Sequence, residues 1–197
     1  MARPTGTTRA KKPILQKEFQ RLIRAVNYNT RIKSVTKVKL IAAFTLLYLT
    51  GCRISEIVKM SNEDILYMIQ ENEYSLTNVN KMKTPRLISF DDGGAQVKFL
   101  QQIIPKNKKF LFNRNNSDEP MTAGAFTKLL NDFIHSMLGE LYSSHSFRAG
   151  YVTAFHQMGF SLEHIRQDIG HKAIATTARY ATVTSDEISK GKNMRQW

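Results

Sequence analysis

The last quarter of the chain carries His145-Ser146-Phe147-Arg148, then Gly170-His171 and, a short distance further on, Tyr180. A histidine and an arginine three residues apart lie about one turn apart on a helix, so they share a face. Arginine and histidine suit the binding of a phosphate anion, and the oxygen of a tyrosine suits attack on it. This stretch therefore predicts phosphate chemistry.

The charge of the chain points to a polyanion as its partner. The 197 residues include 29 Lys and Arg against 16 Asp and Glu, a net charge of +13. With 42% hydrophobic residues the chain can bury a packed core, so it is not a disordered basic protein. An anionic membrane surface is the competing partner, but no strongly basic amphipathic helix with an exposed apolar face is evident. We therefore expect nucleic acid as the partner and no membrane.

The compartment predicted from the sequence is the cytoplasm, in association with the nucleoid. Cys52 is the only cysteine, so nothing indicates a disulfide framework or secretion. The longest apolar run, Leu40 to Leu49, is too short to span a bilayer. The basic N-terminus has no apolar segment behind it and does not predict a signal peptide.

Apolar periodicity and turn residues divide the chain into three parts. Residues 1–13 are basic and poor in large apolar side chains, and we expect a flexible arm. Residues 14–183 form one domain, and residues 184–197 form a tail or short helix. The domain is expected to be mainly α with a small three-stranded antiparallel sheet, an α+β fold. The predicted strands are 64–70, 74–79 and 86–90; the predicted helices begin after Pro13 and include 38–49, 54–60, 94–104, 121–138, 145–158, a segment capped by Ser161 that stops at Gly170, and 176–181.

Taken singly, the polar residues have ordinary structural explanations. Arg53 opens a helix, and Glu56, three residues on, is a natural ion-pair partner. Lys81 falls in a turn, where lysines are usually solvated. His145 and Arg148 stand on an otherwise apolar helix. Because buried polar groups must be satisfied, they need each other, a carboxylate or an anion.

Taken together, the order of these residues resembles the tyrosine recombinase (phage integrase) family over nearly the whole chain after the arm. Thr50 to Ile57 looks like the first arginine motif of the family. Lys81, in the turn before Pro85 to Ile88, looks like its hairpin lysine, with Lys83 as a neighbouring alternative. His145 to Arg148 looks like the His-x-x-Arg box, and Ile169 to Lys172 followed by Thr176 to Tyr180 resembles the nucleophile box.

The resemblance implies the integrase catalytic-domain fold for residues 14–183. It also implies a site-specific DNA recombinase of the integrase or invertase type. Such an enzyme cuts and rejoins DNA through a 3′-phosphotyrosine intermediate, and it needs neither metal nor ATP nor another cofactor. The histidines also lack the tight spacing with acidic or cysteine partners that a metal site requires, so we expect none. The catalytic residues implied are Arg53, Lys81, His145, Arg148, His171 and Tyr180.

The same resemblance assigns a role to each residue. Tyr180 is the nucleophile, and the guanidinium groups of Arg53 and Arg148 hold the phosphate oxygens. Lys81 protonates the departing 5′-oxygen, and His145 assists proton transfer. His171 donates a hydrogen bond to a phosphate oxygen. Glu56 lies behind them and orients Arg53 or His145.

The implied partners are double-stranded DNA and further copies of the chain, as a dimer or tetramer on DNA, with the tail docked on a neighbouring subunit. Family members commonly carry a separate DNA-binding domain ahead of the catalytic one. Here only the arm precedes it, so we expect either a naturally short recombinase or a fragment of a longer protein. Two alternatives remain open at this point: a type IB topoisomerase-like enzyme, and a non-catalytic DNA-binding regulator on the same fold.

Overall fold

The structure is a computed structural model that describes residues 11–76, 85–89, 94–105, 107–114 and 117–180. Its elements confirm a mainly helical protein with a small antiparallel sheet. In chain order they are α1 (Gln16–Tyr28), α2 (Ser34–Thr50), α3 (Ile54–Ile57), α4 (Asn62–Glu71), β1 (Glu73–Leu76), β2 (Arg86–Ser89), α5 (Gly94–Ile103), α6 (Ala123–Leu138), α7 (His145–Gln157), α8 (Leu162–Ile169) and α9 (Ile174–Ala178).

Helix α2 is the centre of the core because it is apolar on nearly every side, and an unbroken run of its residues, 39–47, is buried. The ring of Phe44 lies 5.9 Å from that of Phe133 in α6 and 5.6 Å from that of Phe147 in α7. On another side Tyr48 stacks on Phe19 of α1 at 4.2 Å. Each such side chain contributes roughly 1.5–3 kcal/mol when fully buried. This packing fixes the start of α7 against the core.

A close backbone crossing holds the beginning of the domain on α7. The amide of Ile14 donates to the carbonyl of Ser146 at 2.9 Å. A Cβ atom on Gly150 would lie 2.0 Å from the carbonyl oxygen of Ile14, so only glycine fits there. Next to this crossing, the amide of Lys12 donates to the carbonyl of Leu141 at 3.0 Å. Residues 1–10 of the predicted arm lie outside the described residues.

The sheet has two strands in the part of the chain that the structure describes. β1 and β2 pair antiparallel, with Glu73 opposite Ser89 and Leu76 opposite Arg86. Arg86 and Ile88 point to the buried face of β2, and Leu87 and Ser89 to the outside. Val79 and Phe90, the predicted ends of these strands, lie outside the described residues.

The predicted strand 64–70 was wrong, because this segment belongs to α4. The hydroxyl of Ser61 accepts from the amide of Asp64 at 3.0 Å, and the carboxylate of Asp64 accepts from the amide of Ser61 at 2.8 Å. This reciprocal capping starts a helix. Ile65 and Met68, three residues apart, then face the core. The cap and the helical spacing outweigh the strand propensity of the isoleucines.

The C-terminal helices are bounded as their serine and glycine residues predict. The hydroxyl of Ser161 accepts from the amide of His164 at 3.2 Å and so caps α8. Gly170 ends α8 with φ +65°, in the left-handed region that favours glycine. Within the described ranges, no helix combines the length and apolar character needed to cross a membrane.

Candidate active site

Arg53 stands at the junction between α2 and α3. Gly51 ends α2 with φ +59°, and Arg53 is the extended residue before α3. Glu56 fixes both ends of Arg53. Its Oε2 accepts from the Arg53 amide at 2.7 Å, and its Oε1 accepts from Arg53 Nη1 at 2.9 Å. Glu56 is 1% exposed and the Arg53 side chain 39% exposed, so the arginine extends from a buried anchor toward solvent.

Arg148 lies in the first turns of α7 and is buried. Its Nη1 donates to the carbonyl of Gly51 at 2.8 Å, its Nη2 to the carbonyl of Ile169, and its Nε to His171 Nε2 at 3.0 Å. A guanidinium has five N–H groups. Three are therefore engaged within the described residues, and two are left for an anion.

A third arginine, Arg86, completes an arginine cluster with Arg53 and Arg148. Its Nη2 donates to Glu56 Oε2 at 3.3 Å and to Cys52 Sγ at 3.1 Å. The sequence interpretation did not single it out. The signal was there, because a charged residue alternates with isoleucine on the buried face of a strand, and such a charge needs a partner.

The arginine cluster is held by the last turn of α8. Arg86 Nη1 donates to the carbonyl of Asp168 at 3.0 Å, Arg148 to that of Ile169, and Arg53 Nη2 to that of Gly170 at 3.5 Å. We call these three oxygens the carbonyl end of α8. The last carbonyls of a helix lack partners within the helix and carry its negative dipole end, so cations suit them.

The electrostatics of the cluster favour an anion. Burial, with Arg53 and Arg86 close by, lowers the pKa of Arg148 to about 9. Arg148 therefore stays charged at neutral pH, although its burial and the neighbouring positive charges disfavour the charged form. The carboxylate of Glu56 offsets only part of that charge. A phosphate bound at Arg53 and Arg148 would offset the mutual repulsion of the three guanidinium groups.

His171 is held neutral, in one tautomer. Burial, followed by the charges of Arg148, Arg53 and Arg86, lowers its pKa to about 3. Because a guanidinium only donates, His171 Nε2 is the acceptor from Arg148. The proton is then on Nδ1, which donates to Thr177 Oγ1 at 3.0 Å. In this state His171 orients Arg148, and donation to phosphate from Nε2 requires the other tautomer.

His145 faces a cavity of about 200 Å³ at the start of α7. Arg53 and Arg148 line the same cavity. Partial desolvation at the wall of the cavity, followed by the charges of Arg148, Arg53 and Lys11, lowers the pKa of His145. A neutral imidazole at the edge of the cavity is suited to accept a proton.

Tyr180 follows α9 and packs beside the site on the same chain. Its ring centroid lies 6.5 Å from that of His171. Its amide donates to the carbonyl of Thr177 at 3.0 Å, and its carbonyl accepts from Thr153 Oγ1 at 2.9 Å. The ring contacts the apolar cluster around Tyr151. The backbone is thus held on both sides of the ring.

The structure brings together five of the six predicted catalytic residues, Arg53, His145, Arg148, His171 and Tyr180, and Glu56 with them. Lys81 and its alternative Lys83 lie outside the described residues. Two contributors were not predicted, namely Arg86 and the hydroxyl of Thr177. Among the residues the structure describes, no group of three or more His, Cys, Asp or Glu is placed to hold a metal ion.

Comparison with known proteins shows the family of the chain. The sequence profile of the phage integrase family matches residues 12–187. The tyrosine recombinase XerC of Staphylococcus saprophyticus is 28% identical over 152 residues, which cover 74% of this chain and 49% of that protein. The tyrosine recombinase XerD of Oceanobacillus iheyensis is 24% identical over 183 residues, covering 88% of this chain and 58% of that protein. The chain thus spans about half the length of these curated relatives.

Two solved structures share the fold. The XerA recombinase superposes with a TM-score of 0.69 at 18% identity, over 94% of this chain and 66% of that one. The Tn1549 transposon integrase, solved in complex with circular intermediate DNA, superposes with a TM-score of 0.70 at 19% identity, over 96% of this chain and 69% of that one.

Proposed function

The chain belongs to the phage integrase family, and we propose that it is a site-specific DNA recombinase that cuts and rejoins DNA through a 3′-phosphotyrosine intermediate. The observation that carries the proposal is the arginine cluster on the carbonyl end of α8, with Tyr180 beside it. This arrangement presents preorganised positive charge, with the tyrosine ring 6.5 Å from the ring of His171. Such charge suits a phosphoryl-transfer transition state.

In the proposed reaction the Tyr180 oxygen attacks the scissile phosphorus as the bond to the 5′-oxygen breaks. One phosphodiester is exchanged for another, so ATP is not needed. Arg53 and Arg148 hold the non-bridging oxygens, whose negative charge increases in the transition state. The tyrosine proton passes to His145 or to solvent, and Lys81 supplies a proton to the departing 5′-oxygen. Attack by a second 5′-hydroxyl reverses these steps and rejoins the strand.

Double-stranded DNA is the proposed substrate, in the cytoplasm at the nucleoid. The net charge of +13 supports a polyanion, and phosphate contacts made by Lys and Arg make binding fall steeply as salt rises. The guanidinium groups supply the positive charge that the transition state needs, so the proposed reaction calls for no cofactor.

Assembly on DNA is part of the proposal. A groove of about 1050 Å³ lies between Tyr48, Tyr151 and Phe160, and exposes the apolar side chain of Met158. The last described residue is Tyr180, which packs against the apolar cluster that contains Tyr151 of the groove. We assign the groove to residues 184–197 of a neighbouring copy. Deleting residues 184–197 should leave cleavage intact and stop dimers and tetramers from forming on DNA in native gels; unchanged assembly would contradict this assignment.

Covalent capture tests the chemistry. Duplexes with a nick, randomised in sequence on both sides of it, lose a short diffusible fragment after cleavage and so trap the phosphotyrosyl adduct. We expect a denaturant-resistant protein–DNA adduct whose sequence identifies the target. Tyr180→Phe should form none, and Arg148→Ala should lose cleavage while keeping much of its DNA binding. An adduct with Tyr180→Phe equal to that of the parent would refute the assignment.

The captured sequence then separates the alternatives. Exchange of strands between two labelled duplexes is expected from a recombinase. Relaxation of supercoiled plasmid without exchange would identify a topoisomerase-like enzyme instead. DNA binding without any adduct would identify a regulator.

A further inference from the structure

Arg86 is a buried charge in a place where an apolar residue would be expected. It follows the segment that carries Lys81, begins β2, and shares the inward face of that strand with Ile88. Its side chain is 5% exposed. Burying a guanidinium is costly unless its hydrogen bonds are made, and replacing such an ion pair by apolar side chains is often stabilising. Packing alone therefore does not account for an arginine here.

The contacts of Arg86 join three separate parts of the site. One Nη donates to the carbonyl end of α8, and the other to Glu56 Oε2. Glu56 in turn holds Arg53 by its amide and its guanidinium. Gly170 leaves room for this path, because a Cβ there would lie 3.1 Å from Arg86 Cδ. Arg86 thus sets the position of Glu56 relative to the end of α8.

We propose that Arg86 is a positioning residue for strand cleavage that acts through Glu56 on Arg53. The inference rests on the proposed function. Arg86 contacts Cys52 at 3.1 Å, and Cys52 lines the cavity together with Arg53, His145 and Arg148. Its planar fork spans the 3.0 Å contact to Asp168 and the 3.3 Å contact to Glu56 at the same time. A lysine has one nitrogen and cannot make this pair of contacts with the same geometry.

The consequence is a defect in rate and not in binding. Without Arg86, Glu56 loses a donor and can shift, and Arg53 shifts with it. A displacement of about 1 Å at a group that contacts the reacting phosphate costs on the order of a hundredfold in rate. DNA affinity depends on many phosphate contacts and should change little.

The test measures the single-turnover rate of adduct formation at saturating DNA, using the nicked duplex captured with the parent protein. The full-length variants are Arg86→Met, which fits the apolar surroundings, and Arg86→Lys, which keeps the charge and guards against a failure of Arg86→Met to fold. Arg24→Met is the matched control, since Arg24 is exposed on α1. DNA affinity and the urea midpoint are measured for each protein.

We expect Arg86→Met to cleave on the order of a hundredfold more slowly, Arg86→Lys to lie between it and the parent, and DNA affinity to stay within about threefold. If Arg86 acts through Glu56, adding Glu56→Gln to Arg86→Met should slow the reaction little further, because the two side chains act as one unit.

Three results would overturn the proposal. If both folded Arg86 variants cleave as fast as the parent, the positioning role of Arg86 is contradicted and the proposed function still stands. If the fold reduction in cleavage rate of the double variant equals the product of those of Arg86→Met and Glu56→Gln, Arg86 does not act through Glu56. A parent protein that forms no adduct with any captured duplex would overturn the proposed function, and this inference with it.

Discussion

Replacing Glu56 should destabilise the protein far more than replacing any exposed glutamate. Its carboxylate accepts three hydrogen bonds, from the amide and Nη1 of Arg53 and from Nη2 of Arg86. The Arg53 side chain is 39% exposed, so water can replace that contact at a cost of about 0–1 kcal/mol. Arg86 has no such access to water. Glu56→Ala leaves its buried charge uncompensated, which costs about 3–5 kcal/mol.

Glu56→Gln separates charge from shape. The carboxamide fills the same space, but its NH₂ faces one of the donors. We expect a loss of about 1.5–3 kcal/mol in the free energy of unfolding, the cost of one hydrogen bond to a charged group. Urea unfolding followed by circular dichroism measures both variants. Glu71→Ala, at an exposed position at the end of α4, is the control and should change stability by less than about 0.5 kcal/mol.

The positive charge of the arginine cluster, no longer balanced by Glu56, also predicts how the variants respond to anions. With Glu56 neutralised, the arginine cluster should bind sulfate more tightly, so sulfate should restore more stability to Glu56→Gln than to the parent at equal ionic strength. A Glu56→Ala variant as stable as Glu71→Ala would refute the reasoning. It would mean that the carbonyl end of α8 alone satisfies the arginines.

Three further results are expected. Thr177→Val removes the acceptor of the Nδ1 proton of His171 and should slow adduct formation by about fivefold, corresponding to one hydrogen bond, while Thr177→Ser should not. The free energy of unfolding should fall as pH drops from 6.5 toward 3, because His171 takes up a proton in the unfolded chain before it does in the folded one. His171→Asn should flatten that part of a plot of the urea midpoint against pH. An unchanged slope would exclude His171 as the group responsible. Gly150→Ala should cost about 3 kcal/mol, since its Cβ would clash with the Ile14 carbonyl, whereas Gly124→Ala meets nothing within 4 Å and should be neutral or stabilising in the same thermal melt.

The sequence carried most of the helical architecture, and the exception shows what was overlooked. Segment 64–70 contains five large apolar or aromatic residues, two of them isoleucines, and was interpreted as a strand. The pair Ser61 and Asp64 is nevertheless a capping signal, and Ile65 and Met68 follow at helical spacing. Giving the Ser61–Asp64 cap more weight than the strand propensity of the segment would have corrected this prediction. Strand propensity is the weaker argument because it depends on tertiary context.

The site was predictable in its parts but not in its connections. Arg53, Arg148 and His171 were found from their order along the chain and the family they resemble. Their mutual contacts run through main-chain oxygens, which no residue type reveals. The tautomer of His171 likewise depends on Thr177 and Arg148 meeting it from opposite sides, which is a property of the folded chain.

The carbonyl end of α8 makes this part of the protein tolerant of substitution and intolerant of changes in length. Every residue has a main-chain oxygen, so exchanging an exposed side chain of α8, such as that of Gln167, leaves the acceptor of Arg148 in place. Inserting one residue inside α8 instead turns everything after it by about 100° and moves all three acceptors at once. A helix of equal length that ends in glycine and keeps the buried Ile165 and Ile169 would hold the same arginines. Engineered chimeras can therefore exchange α8 for another helix, provided that its length and its two buried isoleucines are kept.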